Sequence, residues 1–77
     1  MKMLSICEDE DICTGLRLVG IEGTIAHDRE EFVHAFKQAI ADQETAIIII
    51  SKKLAHLHAE EIKEARLGKA VALIVEI

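Results

Sequence analysis

Apolar residues along this chain fall into two patterns, short continuous runs and stripes with helical spacing. The runs predict four β-strands, at residues 4–7, 24–26, 45–50 and 70–75, of which the second is the weakest. The third run is mainly β-branched, which is typical of a strand buried on both faces. The stripes between the runs predict three helices, so the elements follow the order β-α-β-α-β-α-β.

Residues typical of helix ends support the three helices. Asp28, with Glu31 three residues later, resembles a capping box. Ser51 is a suitable N-cap for the third helix, and Gly68 follows its last turn. The apolar stripes are formed by Ile12, Leu16 and Val19, by Phe32, Val33, Phe36 and Ile40, and by Leu54, Leu57, Ile62 and Ala65.

Strands that alternate with helices predict right-handed crossovers and a parallel sheet with helices on both faces. We therefore expect residues 1–77 to form one three-layer α/β/α receiver-like domain, with four parallel strands in the order 2-1-3-4. The last strand would lie at an edge of this sheet. Because a long apolar edge invites pairing, we expect a continuation of the chain, a second copy or a partner to cover it.

Composition limits the classes of function. The chain has 77 residues, 14 acids against 9 bases, a net charge of −5 and only 3% aromatic residues. A chain with this negative charge and so few aromatic side chains is a poor candidate for binding nucleic acid or anionic lipid. No apolar run approaches the roughly 20 residues that span a bilayer, and the N-terminal run is too short for a signal peptide. We expect a cytoplasmic chain without membrane insertion, in which Cys7 and Cys13 are reduced.

The end of the first strand carries a run of four acids, Glu8, Asp9, Glu10 and Asp11. Ligands of open α/β sheets usually bind at this carboxyl edge. The acids could hold Mg²⁺, dock a protein, or stabilise the following helix through its dipole. Lys52 and Lys53 begin the third helix, and we expect them to face these acids because the third strand lies beside the first.

Two strand-end residues bear on phosphotransfer chemistry. Receiver domains phosphorylate an Asp at the end of the third strand, where this chain has Ser51, or Ile50 if the strand is one residue shorter. Neither residue can form an aspartyl phosphate. Some phosphotransferase domains phosphorylate a Cys at the position of Cys7, but the adjacent acids oppose both a thiolate and a phosphoryl group. A phosphotransfer module, either a degenerate receiver or a Cys-phosphorylated domain, is therefore the alternative function.

The remaining candidate residues do not form a recognisable site. His56 and His58 are two apart on a predicted helix, so they point to different faces, and the glycines fit no phosphate-binding loop. We predict no catalytic residues, no metal and no cofactor, which favours a binding module. A self-associating α/β domain, paired through its last strand, is a third possibility.

One segment is specific enough to suggest a family. Residues 9–21 read D-E-D-I-C-T-G-L-R-L-V-G-I, which resembles the start of the F subunit of V/A-type ATPases, typically close to G-D-E-D-T-V-T-G-F-R-L-A-G-I. Residues 47–51 and 73–77 are similar to the third and fourth strands of that family, so the resemblance covers nearly all of the chain. Gly15 lies within the motif, and we expect it to allow close approach of the helix to the sheet or of a partner.

The resemblance implies a non-catalytic component of the central stalk, or rotor, of a V-type ATPase or ATP synthase. Such a component binds the coiled-coil D subunit, lies near other stalk and catalytic-head subunits, and helps couple ATP hydrolysis or synthesis to ion transport. It is cytoplasmic and peripheral to the membrane. The residues expected at the partner interface are Glu8, Asp9, Glu10, Asp11, Arg17, Ser51, Lys52, Lys53, Val75 and Ile77.

The chain departs from the family pattern at two places. Glu8 stands where the family usually has Gly, so the first loop is expected to differ in shape. The family continues after its fourth strand with Pro and a helical tail, whereas this sequence ends at Ile77. The resemblance therefore implies an N-terminal domain without its C-terminal tail.

Overall fold

The structure, a computed structural model, describes residues 2–68 and 72–77 and has a central four-stranded sheet. The strands are β1 Lys2–Cys7, β2 Glu22–Ile25, β3 Thr45–Ile50 and β4 Leu73–Glu76. They lie in the order β2-β1-β3-β4, and neighbouring strands are parallel. The predicted fold class and strand order are confirmed.

The helices described are α1 Glu10–Leu18, α2 Arg29–Ala41, α3 Lys52–Leu57 and α4 Ala59–Leu67. The predicted caps are present: Asp28 accepts a hydrogen bond from the Glu31 N–H at 2.8 Å, and Ser51 accepts one from the Leu54 N–H at 3.3 Å. The Glu31 carboxylate also accepts from the His27 N–H at 2.7 Å, which completes a capping-box-like start for α2.

Helix α1 ends in a Schellman motif built around a glycine. Gly20 has a φ of 90°, a left-handed conformation that a side chain rarely adopts. The Gly20 N–H donates to the Arg17 carbonyl at 2.9 Å, and the Ile21 N–H donates to the Leu16 carbonyl at 3.0 Å. These bonds satisfy carbonyls of the last helical turn and turn the chain directly into β2.

Four predicted elements have different bounds in the structure. The first strand begins at Lys2 rather than at residue 4. The predicted third helix is two helices, because the chain bends at His58, whose ring is buried against Phe32. The second strand covers Glu22–Ile25 rather than residues 24–26. The fourth strand begins at Leu73, and residues 70 and 71 of its predicted range lie outside the described residues.

Most of the apolar core lies on one side of the sheet, under α2, α3 and α4. Phe32 lies at its centre, stacked on Phe36 with 5.4 Å between ring centroids and on His58 with 4.3 Å. Because side chains alternate along a strand, the sheet contributes every second residue to this core. The core comprises Ile6, Ala26, Phe32, Phe36, Ala39, Ile48, Ile50, Leu54, Ala55, Ile62 and Ile74.

The close approach of α1 to the sheet depends on Gly23 in β2, not on Gly15 in α1. A Cβ at Gly23 would lie 3.0 Å from Ser5 Oγ and 3.2 Å from Cys13 Sγ, whereas a Cβ at Gly15 would have no atom within 4 Å. The expectation that Gly15 allows α1 to approach the sheet is therefore wrong. Gly15 faces outward, because the buried side of this helix is the side that carries Cys13.

The two glycines are expected to respond in opposite ways to alanine. Gly15→Ala should raise the free energy of unfolding by about 0.5–1 kcal/mol, because alanine favours a helix interior and meets no neighbour here. Gly23→Ala should lower it by about 1–3 kcal/mol through crowding against Ser5 and Cys13. Urea denaturation of both variants measures the difference, and equal effects of the two substitutions would contradict this packing.

An ion pair joins the start of β1 to the end of α2. Lys2 Nζ donates to Asp42 Oδ2 at 2.9 Å, and the Asp42 carboxylate also accepts from the Glu44 N–H at 2.9 Å. The hydrogen bond to Asp42 raises the pKa of Lys2, and the hydrogen bond from Lys2 lowers the pKa of Asp42. Both groups are partly exposed, so solvent screens the pair.

The pair predicts a specific pH dependence. Because the pKa of Asp42 is lower in the folded chain than its ordinary value of 3.8, its stabilisation is present above that value and is lost as the pH falls through the folded pKa. Asp42→Asn, which keeps an oxygen for the Glu44 N–H, should therefore be less stable than the native chain at pH 7 and equally stable in strong acid.

Urea midpoints measured from neutral to strongly acidic pH test this expectation. Lys2→Met removes the other partner, so the double variant should lose no more stability than either single variant. A difference between the native chain and Asp42→Asn that stays constant down to strong acid would contradict a charge-dependent contribution.

Candidate functional site

The carboxyl edge of the sheet brings together the ends of β1, β3 and β4. The Ser51 N–H donates to the Ile6 carbonyl at 3.3 Å, and the Ile77 N–H donates to the Ile50 carbonyl at 3.0 Å. The Lys52 N–H in turn donates to the Ile77 carbonyl at 2.8 Å. The predicted edge residues after β1 and β3 therefore share one surface with the residue that follows β4.

Ser51 is committed to structural hydrogen bonds at this edge. Its hydroxyl donates to Glu8 Oε2 at 2.5 Å and accepts from the Leu54 N–H, and the residue is only 3% exposed. This bond joins the loop after β1 to the start of α3. A buried hydroxyl held between a cap and a carboxylate is poorly placed to accept a phosphoryl group, which weighs against a receiver-type reaction.

The acid run serves mainly to begin α1. Asp9 is the N-cap and accepts from the Asp11 N–H at 2.8 Å, while Glu10 and Asp11 occupy the exposed first turn. Negative charge at this end of a helix is favourable. Among the described residues, no group of three or more His, Cys, Asp or Glu side chains has an arrangement that could hold a metal ion.

The two lysines do not pair with the acid run as expected. Lys52 and Lys53 are exposed, and the ion pairs found among the described residues join other side chains. The acid that faces β3 is Glu8, and the neutral hydroxyl of Ser51 takes up its carboxylate instead. The lysines therefore remain free to contact a partner at this edge.

The two cysteines form a disulfide, so the expectation that both are reduced is wrong. Cys7 is the last residue of β1, and Cys13 is the buried residue of α1. The turn between them folds α1 back over the sheet and brings the two Cα atoms to 6.6 Å, within the range that a disulfide spans. Cys7 is also only 1% exposed, which weighs against a Cys-phosphorylated domain.

The side of the sheet opposite the main core is covered unevenly. On this side, α1 packs on β1 and β2, and it is the one helix there among the described residues because α2, α3 and α4 share the core on the other side. On the same side, the apolar side chains of β3 and β4 have no helix of residues 2–68 or 72–77 packed on them. Helices normally cover both faces of a parallel sheet, so this uncovered area is the clearest candidate for an interface.

Strand register defines this area. Met3, Ile47 and Leu73 are neighbours across β1, β3 and β4, and Ile49 and Val75 are neighbours in the next row. We call these five residues the open strip. Leu73 is 61% exposed, Met3, Ile47 and Val75 are half-buried, and Ile49 is buried.

The residues predicted for the interface do not all lie together. Val75 belongs to the open strip, and Ile77 is exposed at the carboxyl edge beside Lys52. Arg17, in the last turn of α1, lies near Gly20 and Glu22, away from that edge. Sequence reasoning expected a partner to cover the last strand but did not single out Leu73, and it missed Ile47. Alternation along β3 and β4 could have placed both on one face once the strand order was assumed.

The outer strand β4 is less open to pairing than its sequence indicates. Arg66 of α4 donates to the Ile74 carbonyl at 3.3 Å and lies 3.9 Å from the Glu76 carboxylate. A charged side chain at an edge strand discourages pairing with another chain. The contact makes self-association through this strand less favourable than the bare edge expected from the sequence.

None of the helices in residues 2–68 and 72–77 has the length and apolar character to cross a bilayer.

Comparison with known proteins adds one finding. A family model described as ATP synthase (F/14-kDa) subunit matches residues 4–77, which is almost the whole chain. No match was found among curated proteins or among solved structures.

Proposed function

The chain belongs to the ATP synthase (F/14-kDa) subunit family, and from this premise we propose that it is a non-catalytic component of the central stalk of a V/A-type ATPase. In this role it binds the coiled-coil D subunit and helps couple ATP hydrolysis or synthesis in the catalytic head to ion transport. It works as part of the rotor, at the cytoplasmic side of the membrane, beside other stalk and catalytic-head subunits.

The open strip is the observation that best supports this role. It offers a row of apolar side chains across β1, β3 and β4, beside the outer surface of α1. A helix laid on this side would complete the second helical layer, and a coiled coil offers helices as rigid rods. The strip therefore fits a helical partner better than it fits a small ligand.

The carboxyl edge supplies polar groups beside this apolar area. Asp9, Glu10 and Asp11 are exposed on one side, and Lys52 and Lys53 are exposed on the other. Opposite charges at the margin of an interface set the orientation of a partner and its rate of association more than its affinity. We propose that the open strip supplies most of the binding energy and that the charged edge sets the orientation of the coiled-coil partner.

Residues 1–77 form the receiver-like domain in this proposal, and any C-terminal tail encoded by the gene adds regulation rather than the primary contact. The D subunit from the same genome should form a one-to-one complex with the chain, measured by size-exclusion chromatography with light scattering. Absence of a complex, both with this chain and with the full-length gene product, would refute the stalk assignment. A complex with the full-length product alone would place the main contact in the tail.

A further inference from the structure

Helix α1 is weakly held by apolar packing. It has nine residues, fewer than the 12–15 or so that a helix needs to persist alone in water. Cys13 is its single fully buried side chain, with Ile12 and Leu16 half-buried. The attachment of α1 to the sheet therefore depends strongly on what Cys13 contacts.

Cys13 is bonded to Cys7, the residue at which β1 ends. The bond closes a loop of residues 7–13 that contains the whole acid run, and it fixes the start of α1 to the carboxyl edge. Both cysteines are almost completely buried, at 1% and 2% exposure. The side chain that makes the main buried contact of α1, Cys13, is therefore also the one that is covalently bonded to β1.

The surroundings of the disulfide leave little room for two separate thiols. Bonded sulfur atoms lie about 2.05 Å apart, whereas non-bonded heavy atoms need roughly 3.5–4 Å. The space beneath Cys13 is already narrow, because even a Cβ added at Gly23 would lie 3.2 Å from Cys13 Sγ. Two separate thiols would therefore be crowded here, and we expect α1 to pack less closely on the sheet once the bond is broken.

We propose that Cys7 and Cys13 are a reversible redox pair that holds α1 on the sheet when oxidised and loosens it when reduced. For oxidation, the two thiols give two electrons and two protons to a low-molecular-weight disulfide, which leaves as two thiols. For reduction, a dithiol attacks one sulfur, forms a mixed disulfide, and is released as a cyclic disulfide while both cysteines become thiols.

The pair controls a defined part of the surface. The acid run lies inside the closed loop, and α1 borders the open strip across β1. Loosening α1 changes the shape of both areas, whereas the core under α2, α3 and α4 lies on the other side of the sheet. Redox state should thus affect local stability on one face only.

Hydrogen exchange followed by mass spectrometry tests this coupling. Amides of residues 10–21 should exchange about tenfold or more faster after reduction with dithiothreitol, whereas those of α2 should change little. The double variant Cys7→Ala/Cys13→Ala should show fast exchange in the same segment with and without the reductant. Intact mass shows whether the native chain has been reduced. If the reduced native chain shows unchanged exchange in α1, the proposal is overturned, and this comparison does not require the double variant to fold.

The kinetics of reduction give an independent test. Because both sulfur atoms are buried, attack requires α1 to open first, so reduction of the folded chain should be at least about tenfold slower than reduction of the same disulfide in the urea-unfolded chain. Equal rates in the folded and unfolded chains would show that the bond is reached without opening α1, which contradicts the coupling. Free thiols in the folded chain after equilibration with glutathione disulfide would also overturn it.

Discussion

Leu73→Glu is expected to weaken binding to the coiled-coil D subunit about 100-fold or more while leaving the chain folded, since burying an unpaired carboxylate in an apolar contact costs several kcal/mol. Leu73 is 61% exposed in the isolated chain, so the substitution removes little packing there. In the complex its side chain would lie beneath a helix of the partner, at the β4 end of the row that it forms with Ile47 and Met3. Isothermal titration calorimetry gives the affinity, and circular dichroism confirms the fold.

Leu67→Glu is the matched control. Leu67 is 78% exposed, but it lies at the end of α4, near Ile62 and Glu76, on the other side of the sheet from the open strip. The same change of charge and size there should leave the affinity for the coiled-coil partner within about twofold. If Leu67→Glu weakens binding and Leu73→Glu does not, the interface lies on the side of α4 and the open strip is not the docking surface.

Much of the fold follows from periodicity and end signals. The β-branched run of β3 and the capping residues Asp28 and Ser51 locate elements correctly because local patterns determine them. The order β2-β1-β3-β4 follows from the alternation of strands and helices together with the common topology of doubly wound sheets. The motif in residues 9–21 identified the family that the comparison confirms.

The sequence could not show contacts that depend on three-dimensional distance. The break at His58 lies where its ring packs on Phe32, a partner 26 residues away along the chain. The disulfide depends on how α1 folds back over β1 and brings Cys13 to Cys7. The prediction of reduced cysteines is based instead on the redox state of the cytoplasm, which carries no information on that distance. Periodicity predicted helices on both faces, but only the structure shows that, within residues 2–68 and 72–77, no helix covers β3 and β4 on the side where α1 lies.

Phe32→Ala is expected to lower the free energy of unfolding by about 3–5 kcal/mol, the usual cost of removing a buried aromatic ring. Phe32 is completely buried, and its ring stacks on both Phe36 and His58. A domain of this length has a total stability of roughly 4–12 kcal/mol. The variant should therefore be partly or largely unfolded at 37 °C, which thermal denaturation followed by circular dichroism measures.

Two milder substitutions show whether the loss comes from this stack. Val33→Ala removes a half-buried side chain from the next position of α2 and should cost only about 1 kcal/mol. Phe32→Leu refills much of the cavity but cannot stack on His58, so its stability should lie between those of the native chain and Phe32→Ala. If Phe32→Ala cost no more than Val33→Ala, the ring would not be the contact that joins α2 to the bend between α3 and α4. With the expected order, the ring of Phe32 is the contact that joins α2 to His58, the residue at which α3 and α4 meet.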